Sequence, residues 1–455
     1  MLQRKTLCLA GAALLALAGP ALVAQEALKV TPPKIEVREH KLANGLEVLL
    51  LEDRSVPVAD VQVWYHVGSK NERKGRSGFA HLFEHIMFKG SANLGPEEHK
   101  NFVASIGGRY NAGTDFDTTQ YFQTFPSNYL ERVLWMEADR LRSLNVTEEN
   151  FKSERDVVKE ERRLRIDNPP FGRLLGVVLQ NTYETHPYKI LPIGSIEDLD
   201  AATLEDVRQF HATYYVPNNA VLIVSGDLDP DETLQWIEKY FGSIPQGKPV
   251  PREIPAEPAQ TAERRLVDYH PNTPLPTVVF TYHVPEAGHP DMYALEVASN
   301  ILSGGESSRL YRKLVYDQQI ALEAGGQAIV LEDPGVFFFF AILQAGQSPE
   351  AAEKSLAEEV ERLKAEPVSE AELVKAKNQL IADLVFGRGT AAQKGEAAGY
   401  AKVILGDTSL VNSQLALYQK VTAADVQRVA QKYFAPQNRT AVTMLPESMR
   451  PAGGQ

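Results

Sequence analysis

Cysteine is almost missing: the 455 residues contain one, Cys8. No disulfide can form within the chain, so its stability must come from a packed core, which a chain of this length can build. Basic clusters are missing too. Lys and Arg total 47 against 59 Asp and Glu, giving a formal net charge of −12. Without a Lys/Arg patch there is no electrostatic footprint for nucleic acid, which excludes it as a partner. Beyond the N-terminus no apolar run is long enough to span a bilayer, which excludes an integral membrane segment in the processed chain. What remains is 44% hydrophobic and 23% charged, the composition of a soluble globular protein. The length calls for two or three domains.

The N-terminus is a targeting segment. Arg4 and Lys5 precede an Ala/Leu-rich run over residues 7–17, small residues follow, and the chain turns polar at Gln25. This pattern predicts a secretory signal peptide over residues 1–24 and export to the periplasm. The alternative is an uncleaved N-terminal anchor. Cleavage would remove Arg4, Lys5 and Cys8 and leave a more acidic chain without cysteine.

The sequence repeats itself. Residues 61–67 match 278–284, and Asp206, Val207 and 214–219 match Asp425, Val426 and 433–438, offsets of about 217 to 219 residues that mark a duplicated domain. Pro245, Pro249, Pro251, Pro255 and Pro258 lie between the copies and mark a semi-extended linker. The expected organisation is a first domain over 33–244, a linker over 245–262 and a second domain over 263–446. Strand patterns at 46–51, 58–67, 121–125 and 220–225 mix with helical patterns at 127–143, 147–166, 203–213, 349–365 and 368–386. Strands and helices do not alternate strictly. The predicted class is therefore α+β: two tandem homologous domains, each a mixed, mainly antiparallel sheet packed with helices.

The chemistry concentrates in residues 81–85. His81, Leu82, Phe83, Glu84 and His85 read H-x-x-E-H, a zinc-hydrolase signature with its glutamate in inverted order. On a helix His81 and His85 share one face and can grip one metal ion. Glu84 then sits beside that ion, placed to take a proton from water. The surrounding residues are apolar almost all round, which predicts a buried helix, with Ser77 as its cap and Gly90 as its end. Buried histidines and a carboxylate are costly unless paired, and a zinc ion would satisfy all three.

Zinc needs a third protein ligand. In the helix predicted over 147–166, Glu154 and Glu161 interrupt an apolar stripe of Phe151, Val157, Val158 and Leu164, while Glu160 is rotated toward the charged face. Glu161 is thus favoured as the ligand. Glu154, two turns earlier on the same face, can orient a ligating histidine from behind it.

Residues 42–46, 78–90, 111–119, 154–161, 186–188, 214–227 and 302–310 together resemble the pitrilysin-type inverted zinc peptidases. The resemblance is to the branch of mitochondrial processing peptidase and its bacterial relatives. It implies a half-clamshell of two domains, one zinc per chain on His81, His85 and Glu161, and Glu84 as the water-activating base. It also implies that Asn111 and Ala112 hold an extended peptide or unfolded segment as an added strand. One departure stands out. Val315 and Leu322 occupy the places where relatives carry an Arg and a Tyr, and neither can donate a hydrogen bond to an oxyanion. The resemblance then implies the zinc-bearing subunit of a heterodimer, with a homologous partner that carries the Arg/Tyr pair. The competing expectation is a non-catalytic assembly subunit, like the core proteins of respiratory complexes.

Overall fold

The computed structural model describes residues 34–451, so the signal segment over 1–24 lies outside the described residues. Two sheets organise the chain. The first holds β1 (Arg38–Lys41), β2 (Glu47–Glu52), β3 (Val58–Tyr65), β4 (Arg109–Thr114), β5 (Thr119–Pro126) and β6 (Ala220–Gly226). Its order is β1-β2-β6-β3-β5-β4. The second holds β7 (Arg264–His270), β8 (Thr277–His283), β9 (Ala321–Ile329), β10 (Val336–Leu343) and β11 (Arg439–Pro446). Its order is β7-β11-β8-β10-β9.

Once β1 is set aside, the two orders coincide. β2 runs parallel to β6 as β7 does to β11, and the other pairs are antiparallel. The repeat read from the sequence explains this: 61–65 fall on β3, and 278–282 on β8. The helices Leu204–Tyr214 and Ala423–Tyr433 both open with a capping box, from Thr203 and Asp206 and from Thr422 and Asp425. After each helix an asparagine amide closes the turn, Asn219 on Tyr214 O and Asn438 on Tyr433 O, both at 2.8 Å. The α+β class is borne out.

Strand alternation gives the first sheet two faces. Val61, Val63, Tyr65, Tyr121 and Phe125 form a buried core with the helix Phe79–Ile86. Leu49, Leu51, Trp64 and Ile223 face the other way and are covered by the helix Ala391–Val403, which comes from the second half. Gly399 makes that approach possible, since a Cβ there would lie 2.6 Å from Ile223 Cδ1. The exchange is reciprocal. The helix Leu174–Thr182 of the first half lays Val178 on Val279, Val442 and Met444 of the second sheet. Thr182 Oγ1 meets Thr281 Oγ1 at 2.7 Å.

A buried ionic cluster closes the seam between the halves. Lys70 Nζ reaches Asp117 Oδ1 at 2.9 Å, Glu332 Oε2 at 2.6 Å and Asp333 Oδ2 at 3.0 Å. Burial works against the Lys70 charge, but these carboxylates outweigh it and hold the ammonium above its ordinary pKa. The proline-rich stretch at 245–262 is almost entirely without regular structure, yet it is tied down. Arg252 Nη1 donates to His66 O at 2.8 Å, and the Glu257 carboxylate accepts the backbone N–H groups of Glu184, Thr185 and His186. Among the described residues no helix is long and apolar enough to cross a membrane.

Candidate metal centre

The motif lies on the buried helix Phe79–Ile86, as its apolar surroundings predict, with Ala80, Leu82, Phe83 and Ile86 fully buried. Its start differs from the expectation. Ser77 is not the cap, because its hydroxyl donates to Asp198 Oδ2 at 2.5 Å. Gly78 takes the N-terminal position with φ 89°, and a Cβ there would meet Ile193 O at 2.8 Å. The free N–H groups go instead to the Glu72 carboxylate, from Gly78 at 2.9 Å and Ala80 at 2.8 Å. Burial pushes the Glu72 pKa up to about 8, against the pull of those backbone bonds. Gly90, expected to end the helix, lies four residues beyond it, past the turn at 87–88, with φ 92°.

The second element is the helix Glu148–Arg162, capped by Thr147 on the Asn150 N–H. It packs along the motif helix. Phe151, Glu154 and Val158 are buried, but Val157 and Leu164 are 45% and 62% exposed. The stripe is narrower than predicted. At about 100° per residue Val157 falls past its rim, and the chain leaves α-helical geometry for a π turn over Arg163–Asp167 before Leu164. Glu161 faces the histidines, whereas Glu160 points away and pairs with Arg163 at 3.0 Å.

His81, His85 and Glu161 form the one metal-capable group of three found among the described residues, with ligand atoms all within 4.8 Å of one another. Glu161 Oε2 lies 3.6 Å from His81 Nε2 and 3.2 Å from His85 Nε2. Ligand atoms on a tetrahedral zinc with bonds of about 2.0–2.1 Å are roughly 3.3 Å apart, so the spacing fits that ion. The chemistry fits as well. Burial, with the nearby His85 charge, pushes the His81 pKa down to about 4, so the ring is neutral. At 3.6 Å its Nε2 is too far from Glu161 for a hydrogen bond, and a cation between them would satisfy both.

The neighbours hold these groups in place. Glu154 Oε2 is 3.4 Å from His85 Nδ1, and Glu154 Oε1 is 2.9 Å from Lys89 Nζ. Burial works against a charged His85, but Glu154 and Glu161 outweigh it and raise the pKa to about 9. Glu84 accepts the Thr114 hydroxyl at 2.7 Å on Oε2. Burial raises the Glu84 pKa above the usual carboxylate range. Arg165 Nη1 sits 2.8 Å from Glu161 Oε1.

Asn111 and Ala112 lie on β4, the outermost strand of the first sheet, paired on one side only, with β5. Ala112 packs against the core on the face of the motif helix. Asn111 points to the other face and is exposed. Val315 lies in a π turn over Tyr311–Asp317, and Leu322, 56% exposed, is on β9. Residues 298–302 lie on the helix Pro290–Ser303 and carry no histidine or carboxylate. Sequence reasoning missed Thr114, Glu72, Lys89 and Arg165. Two of these had a signal: Thr114 shares a strand face with Ala112, and Arg165 is four residues after Glu161.

Comparison with known proteins bears on the family and the fold. Residues 47–191 match the family model described as Insulinase (Peptidase family M16), and residues 201–380 match Peptidase M16 inactive domain. Zinc protease PqqE of Helicobacter pylori is 34% identical over 409 residues, spanning 89% of this chain and 92% of that one. An uncharacterized zinc protease of Bacillus subtilis, YmxG, is 25% identical over 394 residues, spanning 86% and 94%. The crystal structure of a protease from Helicobacter pylori superposes with a TM-score of 0.87 at 33% identity, covering 91% of this chain and all of that one. A putative M16-like peptidase from Alicyclobacillus acidocaldarius shares the fold, with a TM-score of 0.78 at 20% identity over 92% of this chain and 100% of that chain. With the family matched in both halves and a zinc protease matched along nearly the whole chain, this protein belongs to peptidase family M16.

Proposed function

We propose that the chain is a zinc-dependent endopeptidase that cleaves extended peptides or unfolded segments. The observation that carries this reading is the convergence of His81 Nε2, His85 Nε2 and Glu161 Oε2 beside the Glu84 carboxylate. The two histidines and Glu161 hold one zinc ion, and Glu154 orients His85 through Nδ1. When bound, zinc polarises a carbonyl and lowers the pKa of water. Glu84 is the base. Thr114 fixes its Oε2, which leaves Oε1 to take the proton of the attacking water and pass it to the leaving amine nitrogen. A carboxylate whose pKa is raised by burial suits both transfers.

The free edge of β4 supports the substrate reading. A peptide added there pairs through its backbone, with Asn111 and Ala112 as the pairing residues, so selection is for extended chain more than for sequence. Val315 and Leu322 cannot donate to an oxyanion at the places where relatives carry an Arg and a Tyr, which supports a homologous partner subunit that brings them. Residues 1–24 direct the chain to the periplasm in this reading. The intact ligand set speaks against a purely structural subunit.

The test is zinc content together with peptide hydrolysis by the chain alone, with a candidate partner, and as Glu84→Gln. Stoichiometric zinc with turnover lost in Glu84→Gln is expected. A chain without zinc would favour the assembly reading, and equal rates with and without any partner would remove the heteromer.

A further inference from the structure

A substrate carbonyl that becomes anionic needs a donor, and neither Val315 nor Leu322 can be one. One cation already stands at the centre. Arg165 lies in the π turn that follows the Glu148–Arg162 helix. Its Nη1 meets Glu161 Oε1 at 2.8 Å. That is the oxygen turned away from the histidines, since Oε2 is the one that faces both. The Arg165 side chain is 73% exposed, and no further protein partner takes its other nitrogens among the described residues.

The nearby arginines are committed elsewhere. Arg162 bonds to Gly194 O and to Asp167, and Arg163 pairs with Glu160. Arg165 alone of these three is bound to the centre and keeps donors to spare. A ligating oxygen lies roughly 2 Å from a zinc ion, so a guanidinium bonded to the other oxygen of that carboxylate is within about 7 Å of it. A carbonyl oxygen bound to such an ion would lie roughly 2 Å from it, and a hydrogen bond adds about 3 Å. An exposed guanidinium that pivots about its Nη1 contact with Glu161 closes the remaining gap.

We infer that Arg165 is a catalytic residue: it anchors Glu161 through Nη1 and offers Nε and Nη2 to the peptide carbonyl oxygen as that oxygen gains charge. This rests on the endopeptidase reading above and adds to it. The metal-bearing half supplies its own cation, and a partner need supply only what Arg165 does not. A planar fork can hold Glu161 and the carbonyl together, whereas a lysine ammonium is a single point of charge.

The test uses the zinc-loaded full chain as Arg165→Gln and Arg165→Lys. Three quantities are measured: kcat and KM on an extended peptide, zinc affinity against a chelator, and affinity for a phosphinic analogue of that peptide. The parent peptide is titrated into matching variants that also carry Glu84→Gln. For Arg165→Gln, kcat should fall about 100- to 1,000-fold, the loss typical of one oxyanion donor, with KM and parent-peptide affinity little changed. Affinity for the anionic phosphinic analogue should fall by a similar factor, and Arg165→Lys should recover part of both. Zinc affinity lost while analogue affinity stays intact would make Arg165 a positioning residue for Glu161 and overturn the inference. No change in any quantity would reduce it to a surface pair. A wild-type chain that binds no zinc, or that shows no turnover either alone or with a partner, would sink the endopeptidase reading itself, and Arg165 with it.

Discussion

Thr114 Oγ1 donates to Glu84 Oε2 at 2.7 Å, so the outermost strand of the first sheet holds the carboxylate of the motif helix directly. Burial raises the Glu84 pKa, and the Thr114 hydroxyl pulls it back. Thr114→Val removes the pull, and the pKa rises further. A base must be ionised to act, so the acidic limb of kcat/KM against pH should move to higher pH. Activity should recover above that limb, and Thr114→Ser should behave as wild type. An unmoved limb in Thr114→Val would show that the limb does not report Glu84.

Zinc binding should release a proton. Against its burial, Glu154 and Glu161 hold the His85 pKa up at about 9, and burial holds that of His81 down at about 4, which leaves one ring charged and the other neutral at pH 7 without metal. A ligating histidine must be neutral. Calorimetry in buffers of different ionisation enthalpy should therefore find about one proton released per zinc at pH 7. Zinc affinity should rise with pH and flatten above about 9. Without metal, the same raised pKa stabilises the fold below the ordinary histidine range, and that stability is lost as pH rises through about 9. Glu154→Gln lowers the His85 pKa, so proton release should shrink and zinc affinity fall roughly 10- to 100-fold.

Glu72→Ala should loosen the motif helix at its first turn. The carboxylate accepts the Gly78 and Ala80 N–H groups and also bonds Phe79. Leaving these donors buried and unpaired costs roughly 1–3 kcal/mol each at most. Denaturant unfolding should show the loss, and zinc affinity should fall although no ligand has changed. Wild-type zinc affinity in this variant would separate the cap from the site.

Lys70→Met should weaken the seam between the halves. It leaves the buried Asp117 carboxylate beside Glu332 and Asp333 without its cation, with the Tyr188 hydroxyl and the Glu332 N–H still bonded to it. Removing one partner of a buried ionic group costs roughly 3–5 kcal/mol. Unfolding should begin at lower denaturant, with protease cleavage in the 245–262 linker as an early event. Unfolding at the wild-type midpoint would show that the cluster does not hold the seam.

Much of the centre is legible in the sequence because its parts are helical repeats. His81 and His85 are one turn apart, and Glu154 and Glu161 two turns apart, so two short windows carry four of the groups. The strand pattern and the internal repeat likewise revealed the sheets. Contacts between distant segments were not legible. Ser77 looks like a cap in its own window, but Asp198, 121 positions away, takes its hydroxyl. Glu72 caps from a loop, and Lys70 pairs with residues 262 and 263 positions later. The apolar stripe is narrower than its repeat predicts because the π turn interrupts the α-helical repeat before Leu164.

The exchanged helices set an order on the birth of this molecule. During synthesis the Trp64 and Ile223 face of the first sheet is finished long before its cover at Ala391–Val403 exists. The helix Leu174–Thr182 likewise waits for strands that end at Pro446. Neither half can be completed in isolation. A nascent chain must keep an apolar sheet face shielded until nearly its last residues emerge, so cutting the gene at the linker should produce two fragments that depend on each other for solubility.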